Sequence, residues 1–193
     1  MACFVIWSKT YQEGFCVVKP PSGIKKAYQL DTGVSRAEGW PSDVACQMSP
    51  DYPKDIELSD NLFGARLAVV SGRIQAALVG ENVNHVEFLP LTILNHKGRV
   101  AATDYSIMNP LDICDCIDME QSEVTRNPVD GESIMSCKRL VFRDDSIPPK
   151  WKVFRPKFAT ARILIRADIV KTLEAIGCSG IVGMDPLQYT GYA

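Results

Sequence analysis

Histidine is scarce in this chain, catalytic signatures are missing, and no apolar run is long enough to cross a bilayer. The two histidines, His85 and His96, both stand beside turn-forming residues, so a histidine-based acid–base site has little to build on. No stretch reaches the roughly 18 apolar residues of a membrane helix. The apolar start, Met1 to Trp7, lacks the charged region and cleavage site of a secretory signal and reads as a first strand. GxSxG, P-loop, GxGxxG and HExxH patterns are all absent, which leaves no motif for a common hydrolase, nucleotide-binding or zinc-protease chemistry. A dominant charge is missing too. The 21 basic and 23 acidic residues leave a formal charge of -2, which argues against a general nucleic-acid binder. Seven cysteines, an odd number without regular spacing, do not make a disulfide framework and point to a reducing cytoplasm.

What is present is an ordinary globular composition, 46% apolar and 23% charged over 193 residues, enough for one sizeable core. Within it one unit recurs. Ala65-Arg66-Leu67-Ala68-Val69-Val70 is a strand-length run that meets Ser71, a residue able to cap a following helix. Ile74, Ala77 and Leu78 then share a helical face, Gly80 stands where a left-handed residue would end the helix, and Val86 to Leu91 is an exit strand. The second copy begins at Ala161-Arg162-Ile163-Leu164-Ile165, continues through a helical stripe of Ile169, Leu173 and Ile176 to Gly177, and exits through Gly180-Ile181-Val182. Two such units, neither able to bury its own apolar face, are expected to share a core.

The fold expected is therefore α+β: a single mixed domain with two strand-helix-strand units packed on a sheet. Residues 1–60 are expected to form a loop-rich N-terminal layer, with a short hairpin between Phe4–Trp7 and Phe15–Val18, and residues 61–193 the core. Pro90 is expected at a sheet edge or strand end, because it cannot donate to a ladder. Trp40, between Gly39 and Pro41, reads first as a loop residue packed on the domain and alternatively as an anchor for a partner.

Charge is segregated along the chain. From Val100 to Thr125 there are six acidic residues and no Lys or Arg, whereas Lys138 to Lys171 carries ten basic residues against three acidic ones. Within the acidic run, Cys114 and Cys116 would share one strand face with Asp112 and Asp118, and two thiols are half of a structural zinc set. They read as buried small residues, so neither a metal nor another cofactor is expected. Six carboxylates without a nearby base must be solvated or met by cations. They read as an acidic rim, and as a surface for a basic partner before a divalent-metal site. Trp151, Phe154 and Phe158 among lysines resemble a single-strand-binding pattern but read first as core aromatics.

The order of the blocks Val69-Val70-Ser71, Val86-Glu87-Phe88-Leu89-Pro90, Tyr105 to Pro110, Cys116-Ile117-Asp118, Leu140-Val141-Phe142, Val153-Phe154-Arg155, Ile163-Leu164-Ile165 and Gly180-Ile181-Val182 is similar to that of bacterial immunity proteins of polymorphic toxin systems, in the group first described as a myxobacterial domain of unknown function. The likeness spans roughly residues 50 to 187. It departs from the family at Ile165-Arg166-Ala167-Asp168, which lacks a hydroxyl cap but keeps Asp168 near the helix start, where a negative charge suits the macrodipole. The resemblance implies a non-enzymatic cytoplasmic protein that binds and occludes a cognate protein toxin, without nucleic acid or membrane. Asp112, Asp115, Asp118, Glu120 and Glu123 would then be the steering surface, with Trp40 as an anchor. The competing reading is a small metal-dependent hydrolase or nucleotide-modifying enzyme using Asp112, Asp115 and Asp118. A third reading is a homodimer joined through an exposed strand edge.

Overall fold

The computed structural model describes residues 4–192. In chain order its elements are β1 (Phe4–Lys9), β2 (Ala45–Gln47), β3 (Val69–Ser71), α1 (Gly72–Gly80), β4 (Val86–Leu94), β5 (Val100–Pro110), β6 (Ile113–Cys114), β7 (Glu123–Arg126), β8 (Ile134–Arg139), β9 (Val153–Pro156), β10 (Leu164–Arg166), α2 (Ala167–Ala175), β11 (Ile181–Met184) and β12 (Gly191–Tyr192). The strands form a four-stranded sheet ordered β2-β4-β5-β3, a five-stranded sheet ordered β11-β1-β10-β9-β6, and a small sheet ordered β12-β8-β7. This is the expected mixed α+β domain. The Met1–Cys3 part of the expected first strand lies outside the described residues.

Both recurring units are present, and each is completed by a strand from elsewhere. In the first, β5 lies between β3 and β4 and runs antiparallel to both. In the second, β1 lies between β10 and β11 in the same sense. The leading and exit strands of each unit are therefore parallel neighbours split by a third, the split βαβ arrangement. This overturns the expected hairpin between Phe4–Trp7 and Phe15–Val18. Both edges of β1 are occupied by β10 and β11, so residues 15–18 instead bridge to Glu57, Phe63 and Met48.

Alternation of side chains across the two larger sheets, with the small sheet closing the third, builds three cores. Val69 and Ile107 face the first core, which the N-terminal segment covers with Cys16, Val18, Leu30, Val44 and Met48. Val70 and Met108 face a second core, where Ile74 and Leu78 of α1 meet Ile169 and Leu173 of α2 together with Ile165 and Ile181. Phe4, Ile6 and Leu164 turn to a third core with Phe154, Cys114, Cys116, Ile117 and Leu140. Strands covered on both faces read as unbroken apolar runs, which is why Phe4 to Trp7 and Ile163 to Ile165 show no polar alternation. The shared second core is the expected meeting of the two units.

Local chemistry sets the helix ends. The Ser71 hydroxyl accepts from the Ile74 amide and caps α1, whereas α2 starts at Arg166 without a side-chain cap. Gly177 ends α2 with a φ of 76°. Gly80 does not play that part in α1, because the helix runs through it and Asn82 takes the left-handed turn at φ 53°. Asn tolerates this conformation through its short polar side chain. Arg73, at the start of α1, donates to the carbonyls of Ile176 and Gly177 at the end of α2, so one helix supplies the other's missing C-terminal donors.

Pro90 sits inside β4, which is continuous from Val86 to Leu94. The parallel neighbour β2 pairs only with Thr92 to Leu94, so at Pro90 the side of β4 away from β5 is still an open edge. The Trp40 indole N–H donates to the Pro90 carbonyl at 2.8 Å and its ring packs against the first core. Trp40 thereby covers the edge where proline removes a donor.

A polar network fastens the N-terminal segment to both sheets. Arg155 on β9 is 2% exposed and meets no carboxylate among the described residues; it donates to the carbonyls of Pro110, Thr160 and Leu30 and to Asn109 Oδ1. Burial draws its guanidinium down to about 10. The Asn109 amide passes the connection on, donating to Val34 O and to Glu87, whose carboxylate also accepts from Ser35 and from the amides of Arg36 and Ala37. Burial by itself would raise the Glu87 carboxyl, but these donors outweigh it and hold it below its ordinary value of 4.5.

Two predictions follow from this network. Arg155→Met should lower unfolding free energy by about 3 kcal/mol, because several buried acceptors lose their donor at once; denaturant titration reads it as a shifted midpoint. Because the folded Glu87 carboxyl is depressed, its contribution is complete above the unfolded value and lost as pH falls through the folded one. Glu87→Gln should therefore cost about 1 kcal/mol at neutral pH, with the difference from wild type vanishing in acid below the ordinary glutamate range.

Candidate partner-binding surface

The acidic run starts where β6 joins β9 in parallel, pairing Ile113 with Arg155 and Cys114 with Pro156. Cys114 and Cys116 point into the third core, as their burial-raised thiol pKa values reflect. The expected two-residue alternation ends there. Ile117 is also buried, bridging to Phe142, so the chain turns before Asp118 and the strand faces read from the sequence do not extend that far.

The turn is made by Asp118 itself. Its Oδ1 accepts from the amides of Glu120 and Gln121, both at 3.0 Å, and its Oδ2 from the Gln121 side chain at 2.8 Å. The Gln121 amide leads the donors that keep its carboxyl below the usual range. This is an aspartate acting as a local cap on its own loop. From the far side, Arg139 Nη2 donates to the Gln121 carbonyl at 2.7 Å. The loop is thus held at both ends before β7 begins at Glu123.

The six residues singled out from the sequence do not form one surface. Asp115, Asp118 and Glu120 line a common depression of about 430 Å³ with Ile117, Met119 and Arg143. Glu123 follows at the start of β7, opposite Arg139 in the ladder. Asp112 lies apart, its Oδ1 at 3.0 Å from His85 Nδ1, and Trp40 is on the edge of β4. Asp115 is met by Arg143 at 3.2 Å and Lys157 at 3.1 Å. The basic segment that follows in sequence therefore returns to neutralise part of the acidic one, and Asp118, Glu120 and Glu123 carry the negative charge that remains.

The same geometry separates the three aspartates of the metal-enzyme reading. Asp112 is engaged by His85, Asp115 by two cations and Asp118 by backbone amides, and no three His, Cys, Asp or Glu side chains among the described residues are placed to hold a metal ion. The His85–Asp112 pair escaped sequence reading. The residues are 27 apart and join only because His85 takes a φ of 57° and its carbonyl accepts from the Leu111 amide. The pair lines a cavity of about 140 Å³ with Asn84, Lys150, Trp151, Lys152 and Val153, a lining without a serine or cysteine for the imidazole to activate. The aromatics of the basic segment are structural: Phe154 is fully buried, and Trp151 and Phe158 pack against the third core. Neither helix is long and apolar enough to cross a membrane.

Comparison with known families finds one described as Immunity protein family (Imm11), matching residues 16–186. No curated protein matches the chain.

Asp118→Ala should free the amides of Glu120 and Gln121 while leaving the three cores intact. Hydrogen exchange at those two amides should accelerate severalfold with protection of β8 and β9 unchanged.

Proposed function

We propose that this chain, which belongs to the immunity protein family Imm11, binds a cognate protein toxin in the cytoplasm and neutralises it by covering its active site or substrate surface. The family match over most of the chain is the observation that carries this reading. The role is stoichiometric binding rather than turnover. Six free, buried thiols among the described residues are in keeping with a reducing compartment.

The acidic depression is the toxin-facing surface in this reading. It presents Met119 between the exposed Asp115 and Glu120 on a loop already ordered by Asp118, so little entropy is lost when a partner docks. Exposed carboxylates at a rim act chiefly on the rate of encounter, while an apolar centre slows dissociation. A toxin that attacks nucleic acid or phosphate esters would offer the complementary basic cleft.

Recovery of one protein with a toxic domain from the source cells, held on the tagged chain at high salt, would support the reading. With that domain purified, Glu120→Lys combined with Glu123→Lys should slow association about tenfold at low ionic strength and leave dissociation nearly unchanged. An unaltered association rate would remove this surface from the account and leave the family assignment standing.

A further inference from the structure

A cavity of about 460 Å³ lies well away in sequence from the acidic loop. Its walls are Trp7 to Lys9 of β1 and the two segments that lead into the repeated units, Phe63 to Ala68 and Ala161 to Ile163. The same dipeptide, Ala65-Arg66 in one unit and Ala161-Arg162 in the other, is thus brought to one cleft from opposite ends of the chain. Lys9 adds a third cation. No carboxylate lines this cavity.

Each cation is held in a defined way. The Lys9 ammonium donates to the carbonyls of Ala65 and Leu67, and burial lowers it to about 8. Neutral carbonyls solvate an ammonium without cancelling its charge, so an entering anion would gain the full attraction of a poorly hydrated cation. Arg162 lies over the Tyr189 ring at 5.3 Å. The Arg66 side chain, 70% exposed, stands at the mouth and is ion-paired with Asp31, whose own carboxylate lies outside this cavity. Trp7 is 7% exposed, and its indole N–H has no acceptor among the described residues. An oxygen brought in beside it would supply one.

Arg66 also borders a second, mostly apolar cavity of about 150 Å³, lined by Pro20, Pro21, Ile24, Tyr28 and Leu67, with Asp31 at the side where it pairs with Arg66. A cationic cleft and an apolar slot therefore adjoin across one arginine. Tyr28 is 63% exposed there, a large ring left in water. A carboxylate followed along an extended chain by an apolar side chain matches this pair of cavities in charge and polarity.

We propose that the cleft formed by Trp7, Lys9, Arg66 and Arg162 receives an acidic side chain of the toxin, presented on an extended segment whose neighbouring apolar residue enters the slot beside Tyr28. The inference rests on the reading of the chain as a toxin-binding protein and names a second contact for the same complex. It differs from the acidic depression in sign, so the two surfaces together would fix the toxin's orientation.

Reductive methylation followed by peptide mass analysis tests the occupant, because a lysine with a lowered pKa stays reactive near neutrality and is silenced when an anion covers it. Lys9 should methylate at a measurable rate in the free chain, slowed by its burial and carbonyl bonds, at least about fivefold more slowly in the toxin complex, and at the free rate in excess citrate. Arg66→Gln should weaken toxin binding about tenfold, and by more than Asp31→Asn, which breaks the same ion pair while keeping the arginine. A complex that forms on gel filtration while Lys9 reacts at the free rate and Arg66→Gln binds normally would overturn the inference and leave the toxin-binding reading intact. Protection by citrate alone, with Lys9 open in the complex, would assign the cleft to a small free anion and overturn the proposed occupant. Failure of any complex to form would end the toxin-binding reading and this inference with it.

Discussion

A single guanidinium without a carboxylate holds the parts of this protein in register. Arg155 reaches the end of β5 through Pro110 and Asn109, the N-terminal layer through Leu30, and the segment before the second unit through Thr160. A buried charge is tolerated only where its donors are met, and here the partners are mostly backbone carbonyls whose positions depend on correct assembly of both sheets. The geometry that satisfies Arg155 is therefore available only in the assembled fold. Glu87 extends the same logic outward, gathering the amides of residues 36 and 37 onto the exit strand of the first unit.

The two strand-helix-strand units depend on each other in the same way. Val70, Ile74 and Leu78 would be exposed without Ile165, Ile169 and Leu173, and α2 would keep unmet carbonyls without Arg73. Each unit also borrows its central strand, from just after itself in the first case and from the start of the chain in the second. A protein assembled this way has little freedom between its halves. That suits a binder, whose affinity is eroded by any ordering left to be done on contact.

Two surfaces of opposite sign result. The acidic depression keeps a negative rim after Arg143 and Lys157 have neutralised Asp115, and the cleft between the two units gathers Lys9, Arg66 and Arg162. A partner with both a basic face and an acidic segment would be distinguished from a generally basic protein. For an immunity protein such discrimination matters, because other basic surfaces must not compete with the toxin under the proposed role.

The α+β class, both helices, the cap at Ser71, the end of α2 at Gly177 and the sharing of one core were legible from the order of residues, because each follows from local periodicity or from a single residue acting on nearby backbone. The block order also pointed to the immunity family. Other features depended on residues far apart in the chain. The partners of β1, the continuity of β4 through Pro90, the His85–Asp112 pair and the neutralisation of Asp115 arise from pairings that no local pattern encodes. So does the cationic cleft, whose two Ala-Arg steps carry no special signal until the sheets bring them together. Hydrophobic period and turn chemistry act over a few residues and are written into the sequence, whereas charge pairing and cavities depend on which distant segments fold against one another, and only the tertiary structure settles that.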